Sequence, residues 1–558
     1  MKNRCKKKFY DSAFCPKLVS CMMNYSMKQL PKDVLAGVIV AVIAFPLSVA
    51  LAISSGVTPE RGLYSAIIGG FFVSLLGGSK VNIGGVTAAT VMTVFTIVAK
   101  YGLVGLAITS IMAGVLLILM GILRVGVLLK YIPRTITLGF TAAIGVGIFT
   151  GQIKSFLGLN LDSIPVKNVD RIVAYAKTIG TIDFVTVAIG VLAVAILLLM
   201  EKFVPKIPNS LVAIIVTTLI TVIFDIDTAT IGSVYGEIPS HFPEFNAPKI
   251  TTELIVELFP SALTLAILVA IVTLLACVVT DGLMGEKHNS NQELIAQGVA
   301  NIFCGFFGAV PVAGAVARAS NNVKNGGRTP IAGIVHSFVV LLILLLMMPL
   351  AEFIPMASLA AVLLVVAVKM CNFKEISYVI KKAPLTDKLV LVVTLLVGCF
   401  KDLLTAVEIG IVVESLLFLK NMADSMNVTE WIRPGEGKDD LRLKVIPKET
   451  FVYEIDGPMF FAAADKLSSL TIENIGEGIK TVILRMRSVP MMDATAVYQL
   501  ENLLDRMEKA NITVIFSHPA KQPYMLMERM GVVKMVGKEN FRENIDAALE
   551  YAAKINAK

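Results

Sequence analysis

Histidine is scarce in this chain, with 4 in 558 residues, and the seven cysteines (Cys5, Cys15, Cys21, Cys277, Cys304, Cys371, Cys399) contain no CxxC pair. That spacing excludes the usual zinc and redox motifs and leaves reduced, structural cysteines. No GxxxxGK[ST] or GxGxxG stretch occurs, so nothing signals a nucleotide phosphate site. The apolar region lacks a nucleophile–base pair or a metal cluster, and an enzyme is not expected. Long stretches also lack charge. IVAVIAFPLSVALAIS, ITSIMAGVLLILMGIL, VTVAIGVLAVAILLLM and SFVVLLILLLMMPLA hold none.

What is present is apolar. The chain is 56% hydrophobic with a mean hydropathy of +0.76, against about 45–50% apolar residues in soluble chains. Runs approaching 20 apolar residues fit a bilayer core about 30 Å thick. The expectation is a polytopic membrane protein.

Candidate spans fall at 33–55, 63–79, 84–98, 103–123, 133–152, 182–200, 209–225, 259–281, 294–309, 312–322, 330–350, 356–369, 386–400 and 402–419, fourteen in all. The first 32 residues carry eight basic side chains against one acid, Asp11, and no apolar, cleavable segment follows them directly. They predict a cytoplasmic amino terminus. Contact with anionic lipid or nucleic acid is the lesser reading of those lysines, and no nucleic-acid partner is expected. Loops on the same side carry Arg124, Arg134, Lys202, Lys287, Arg328 and Lys381, whereas DIDTATIGSVYGEIPSHFPEFNAPK on the other side carries four acids and one lysine. An even number of spans returns the carboxyl terminus to the cytoplasm. The expected organisation is a basic segment 1–32, a membrane domain 33–420, a polar linker 421–437 and a soluble α/β domain 438–558.

Two short segments stand apart: VNIGGVTAATVMTVFTIVA, the third span, and PVAGAVARASNNV, the tenth. Each opens with small residues, Gly or Pro. Two repeats of seven spans would make them equivalent. Paired, interrupted segments of this kind point to a transporter's midplane site, because half-helix N-termini offer free N–H groups and a positive dipole end to an anion. Arg318 lies in the tenth. A cation at membrane depth costs about 2.5–3.5 kcal/mol. It either attracts an anion or snorkels to headgroups. Counting the helix from Pro311 places it about two turns in, which favours the anion.

At this point the motifs resemble a family. EKHNSNQELIAQGVANIFCGFFGAVPVAGAVARASNNVKNGGRT, GVTPERGLYSAIIGGFFVSLLGGS and PLTDKLVLVVTLLVGCFKDLLTAVEIGIVVE are similar to stretches of the SulP (sulfate permease) family, relatives of the solute-carrier anion transporters. EIDGPMFFAAADKL (454–467) and VPMMDATAVYQLENL (489–503) resemble a STAS domain. The resemblance implies an α-helical membrane domain of two inverted seven-span repeats, arranged as core and gate, plus a cytoplasmic STAS domain. It implies a secondary transporter for bicarbonate, sulfate, chloride or dicarboxylates, working by an elevator-like movement. It implies a homodimer in the inner (plasma) membrane, with no cofactor and no metal. Carried onto this chain, the anion site falls on Pro46, Leu47 and Ser48 in the first span, Thr87 and Ala88 in the third, and Gly314, Ala315, Val316 and Arg318 in the tenth.

Val272 and Thr273 stand where many bacterial members carry an acid. No carboxylate lies between Glu257 and Asp281. That weakens Na⁺ or H⁺ symport and leaves exchange, uniport, or coupling through Glu408 or Glu414, which read more readily as helix-end contacts. Thr273 offers either a hydroxyl to the anion or a bond to its own helix. Thr87 is read as a site residue against a packing threonine, and His288 and Asn289 as loop residues capping the next helix. In the soluble domain, FVYEIDG, TVILRM and ITVIF read as strands. Val497, Leu500, Leu504 and Met507 mark one helix face, with Asp493 as its N-cap. Soluble STAS regulators carry a phosphorylated residue in this loop, which puts Thr495 forward as a regulatory position. A docking role for the domain, with a cytoplasmic partner, ranks ahead of it. Competing readings of the whole are an anion channel or uncoupled uniporter on the same fold, and a membrane-tethered signalling module.

Overall fold

A computed structural model describes residues 15–23, 25–127, 133–161, 165, 168–204, 208–249, 251–430, 446–461 and 478–557. Residues 1–14 of the basic amino-terminal segment and residues 431–437 of the expected linker lie outside the described residues, while residues 421–430 of that linker are not a simple linker but end a helix at Asp424 and form the strand Asn427–Glu430. The chain divides into two compact units, residues 1–411 and 412–558.

The first unit is helical because its apolar blocks must satisfy their backbone polar groups internally. Its elements, in order, begin with α1 (Leu30–Ser54), α2 (Pro59–Leu76), a two-residue strand β1 (Gly84–Gly85) and α3 (Ala88–Ile122). Then come α4 (Arg134–Leu157), α5 (Phe184–Phe203), α6 (Asn209–Ile223), α7 (Thr252–Met284) and α8 (Ser290–Phe306). A second short strand, β2 (Ala313–Gly314), precedes α9 (Val316–Lys324), α10 (Ile331–Ala351), α11 (Met356–Cys371), α12 (Leu385–Phe400) and α13 (Leu403–Asp424), whose residues from 412 on belong to the second unit. Among the described residues, seven helices are long and apolar enough to cross a membrane. Helix α3 is two elements. Gly102, at φ 66° and ψ −167°, breaks it, a conformation that costs a side-chain-bearing residue far more than glycine. With that division the helices from α1 to α13 make fourteen elements, and every candidate span overlaps one of them.

Packing separates these elements into two groups. Helices α1, α2, α3, α7, α8, α9 and α10 pack on one another, with α8 and α7 on α3, and α10 on α1 and α2. In the other group α11 and α12 pack on α4, α11 also on α5, and α5 on α6. Gly410 of α13 lies against Ile136 of α4 and Thr394 of α12. These pairings exchange when the first seven elements are swapped with the last seven, as a repeat requires. This is the expected core-and-gate division.

The second unit is an α/β fold. Its sheet runs β3 (Asn427–Glu430), β4 (Thr450–Asp456), β5 (Thr481–Ser488), β6 (Thr513–Ser517) and β7 (Phe541–Arg542), with β3 antiparallel to β4 and the rest parallel. The three predicted strands are β4, β5 and β6. Helix α14 (Ala494–Lys509) buries Val497, Leu500, Leu504 and Met507 against the sheet core. Its N-cap is Asp493, whose carboxylate accepts from the Ala496 N–H at 2.8 Å and the Phe461 N–H at 2.9 Å. Thr495 is exposed in the first turn of α14.

Candidate functional site

The two segments singled out in the sequence meet. β1 and β2 pair antiparallel, Gly84 with Gly314 and Gly85 with Ala313. Each strand runs within two residues into a helix, α3 behind Thr87 and α9 behind Ala315. The antiparallel register sends the two helices away from opposite ends of one ladder. Neither start is closed by a side chain. Ala315 has no acceptor to offer, and the Thr87 hydroxyl lies 3.4 Å from that of Thr90 instead of capping its own helix. The first N–H groups of both helices are therefore left without a side-chain partner.

The small residues at the start of the tenth segment form a strand and not a helix. α9 begins at Val316. Arg318 is its third residue, in the first turn, and not two turns in. Ala313 and Gly314 pair across the molecule with Gly85 and Gly84, a non-local contact that outweighs their helical reading.

Arg318 is buried, 3% exposed. It reaches behind β1. Nη1 donates to the Gly84 carbonyl at 3.0 Å, and Nη2 to Ser48 Oγ at 3.0 Å and the Val86 carbonyl at 3.4 Å. Gly85 must be glycine for this, since a Cβ there would stand 1.4 Å from Arg318 Nη1. Among the described residues no carboxylate pairs with Arg318. Its charge stays uncompensated beneath the ladder. Ser48 in turn donates to the Ala44 carbonyl of its own helix at 2.7 Å. Pro46 is buried two residues before it in α1, and Leu47 is half-buried between them. Ala88 and Ala315 are half-buried and Val316 is 40% exposed, so the helix starts border open space.

Thr273 follows neither sequence reading. Its Oγ1 accepts from the Gly314 N–H at 2.9 Å, which fixes β2 on α7. No carboxylate sits beside it in α7. Among the other positions considered, Asn289 caps α8 by accepting from the Gln292 N–H, as expected, and His288 bonds Asp281. Glu408 is exposed on α13.

The sequence reading missed the residues that hold the strands. Glu293 of α8, fully buried, accepts from the Gly78 and Ser79 N–H groups at 2.8 and 2.9 Å and from Asn82 Nδ2 at 2.6 Å, fixing the lead into β1. Two turns on, Asn301 exchanges both amide bonds with Val312, at 2.8 and 2.9 Å, fixing the lead into β2. Asn322 of α9 donates to the Val81 carbonyl at 3.0 Å, and Ser65 of α2 to that of Val310 at 2.8 Å. A signal existed. Glu293, Gln297 and Asn301 recur every four residues in an apolar span, one polar face of one helix.

Comparison with known proteins agrees with this architecture. Residues 30–394 match the model of the sulfate permease family, and residues 442–548 that of the STAS domain. The putative sulfate transporter YvdB of Bacillus subtilis is 38% identical over 94% of this chain and 98% of its own length. The bicarbonate transporter BicA of Picosynechococcus sp. is 30% identical over 93% of this chain and 94% of its own. Among solved structures, SLC26A9 superimposes with a TM-score of 0.84 at 19% identity, over 100% of this chain and 95% of that one. Its likeness shows the fold: a helical membrane domain followed by a STAS domain. The chain belongs to the sulfate permease family.

Proposed function

We propose that this protein is a secondary transporter that carries a small anion, of the bicarbonate, sulfate, chloride or dicarboxylate class, across the inner (plasma) membrane. The anion binds at the starts of α3 and α9, against Thr87, Ala88, Gly314, Ala315 and Val316, with Pro46 and Ser48 on the adjoining helix. Arg318 acts through its field and not through direct contact, because its guanidinium is engaged with Gly84, Val86 and Ser48. Thr273 serves the site by orienting β2. Two open helix N-termini on one ladder over an uncompensated buried cation form the observation that carries this reading.

Transport proceeds by an elevator-like movement of the helix group that contains the ladder against the group built on α4 and α11. The relatives named as sulfate and bicarbonate transporters support an anion as cargo. With no carboxylate beside Thr273, exchange or uniport is favoured over coupling to Na⁺ or H⁺. Both termini lie in the cytoplasm, the chain works as a homodimer, and the STAS domain docks a cytoplasmic partner, with Thr495 as its candidate modification site.

Uptake of labelled bicarbonate, sulfate, chloride and fumarate into proteoliposomes, with and without a sodium gradient, tests the reading. Saturable uptake with counterflow of one anion supports a carrier. Unsaturable flux without counterflow indicates a channel. No flux of any anion leaves the STAS domain as the functional end.

A further inference from the structure

A second buried arginine lies away from the ladder. Between α4 and α5 runs a short helix, Asn168–Thr178, on the face opposite the amino terminus by the order of crossings. Its Arg171 is 3% exposed, and burial pulls its pKa below the ordinary arginine value. No carboxylate accompanies it among the described residues. Nε donates to the Pro165 carbonyl at 2.6 Å. Nη1 has only the Gly147 carbonyl at 3.4 Å and the Met92 sulfur at 3.5 Å. The Phe95 ring lies 5.5 Å away. A guanidinium presents five donors, and a thioether is a weak acceptor. This cation is undersupplied for its burial.

Its partners belong to both helix groups. Met92 and Phe95 ride on α3, whereas Gly147 is on α4. Any sliding of one group against the other must separate them. Met92 is four residues past Ala88, about 6 Å along the helix from its open start. Beside it lies a cavity of about 110 Å³ lined by Met92, Thr93, Thr96, Gly147, Asn168 and Lys401. Asp402 borders it too, but its carboxylate is turned to Thr405, accepting from the N–H at 2.8 Å and the hydroxyl at 2.7 Å.

We infer that Arg171 is a second contact for the transported anion, engaged on the face opposite the amino terminus when α3 slides from α4. When the anion occupies the ladder, the guanidinium returns to Gly147, Met92 and Phe95 and closes that face. The inference rests on the transport reading above.

Two variants and two measurements test it. Initial uptake is measured with the anion supplied to one face at a time, in right-side-out and inverted vesicles. Arg171→Met is expected to raise KM from the face opposite the amino terminus by about tenfold, the size of one charge-assisted hydrogen bond. KM from the other face should stay within about twofold, and Arg171→Lys should restore part of the loss. Equal losses from both faces, or a Lys variant no better than Met, would overturn the inference.

The second measurement needs no transport. Cys399 borders the same cavity, and its carbonyl accepts from Asn168 Nδ2 at 2.9 Å. In a chain whose other six cysteines are replaced by alanine, impermeant thiol reagents of either charge are compared. Arg171→Met should slow labelling by the anionic reagent relative to the cationic one. An equal change for both reagents assigns Arg171 to packing alone and contradicts the inference. If the wild type carries no anion yet keeps the charge preference, the transport reading fails and the Arg171 assignment of local anion attraction survives.

Discussion

The two segments that meet at the ladder, residues 84–90 and 313–324, share a backbone plan and differ in chemistry. Both are a strand of two small residues leading into a helix whose start no side chain closes. The third element is neutral at its start and offers the Thr87 hydroxyl. The tenth has alanine in that place and a cation in its first turn, where the helix dipole opposes a positive charge. That opposition is offset across the ladder: Arg318 takes its carbonyl partners, Gly84 of β1 and Val86 just after it, from the other segment. One segment contributes charge, the other the groups that hold it. A ladder with pseudo-twofold backbone symmetry can thus carry one positive centre, which is all that the proposed site for a single anion requires.

Each prediction breaks or sharpens that contrast. The largest effect is expected for Arg318→Ala. It removes the charge and two to three hydrogen bonds, each about 1.5–3 kcal/mol when charged, so initial anion uptake should fall by about a hundredfold. Gly85→Ala attacks the same bond from the other segment. With a Cβ at 1.4 Å from Nη1 the guanidinium must leave its place, and uptake should fall by at least about tenfold at the scale of one such bond. The alanine at the opposite register position, Ala313, already tolerates a Cβ, so Ala313→Gly should cost little uptake.

Thr273→Val leaves the buried Gly314 N–H without an acceptor, at about 1–3 kcal/mol. The midpoint of thermal unfolding in detergent should drop by a few degrees, with uptake reduced about tenfold or less. Thr87→Ala should be milder. Its hydroxyl caps nothing, so KM should rise about threefold, one modest hydrogen bond, with stability unchanged. Smallest for transport is Asp493→Ala in the second unit. Loss of the N-cap should cost that unit about 1 kcal/mol, seen as earlier proteolysis, while uptake stays at the wild-type level.

The contrast also explains what was readable in the sequence. Fourteen elements were legible because apolar blocks and charged loops are local signals, and the helix face of α14 because its period is local too. The start of α9 was not. Ala313 and Gly314 are small enough for a helix, and only pairing with Gly85 and Gly84 makes them a strand. The bond from the Gly314 N–H to Thr273 was not legible for the same reason, since the two are 41 residues apart. Glu293 and Asn301 were overlooked though their spacing was visible, because their partners in the leads to both strands become apparent only when α8 is set between them.

The measurement that tests the central claim most directly is counterflow of the labelled anion in proteoliposomes, compared among wild type, Arg318→Lys and Arg318→Ala at equal incorporation. If the buried charge at the ladder organises the anion site, the wild type shows saturable counterflow, the lysine variant retains part of it, and the alanine variant shows none above empty liposomes. Counterflow in Arg318→Ala equal to the wild type would contradict the claim and place the anion elsewhere than at the ladder.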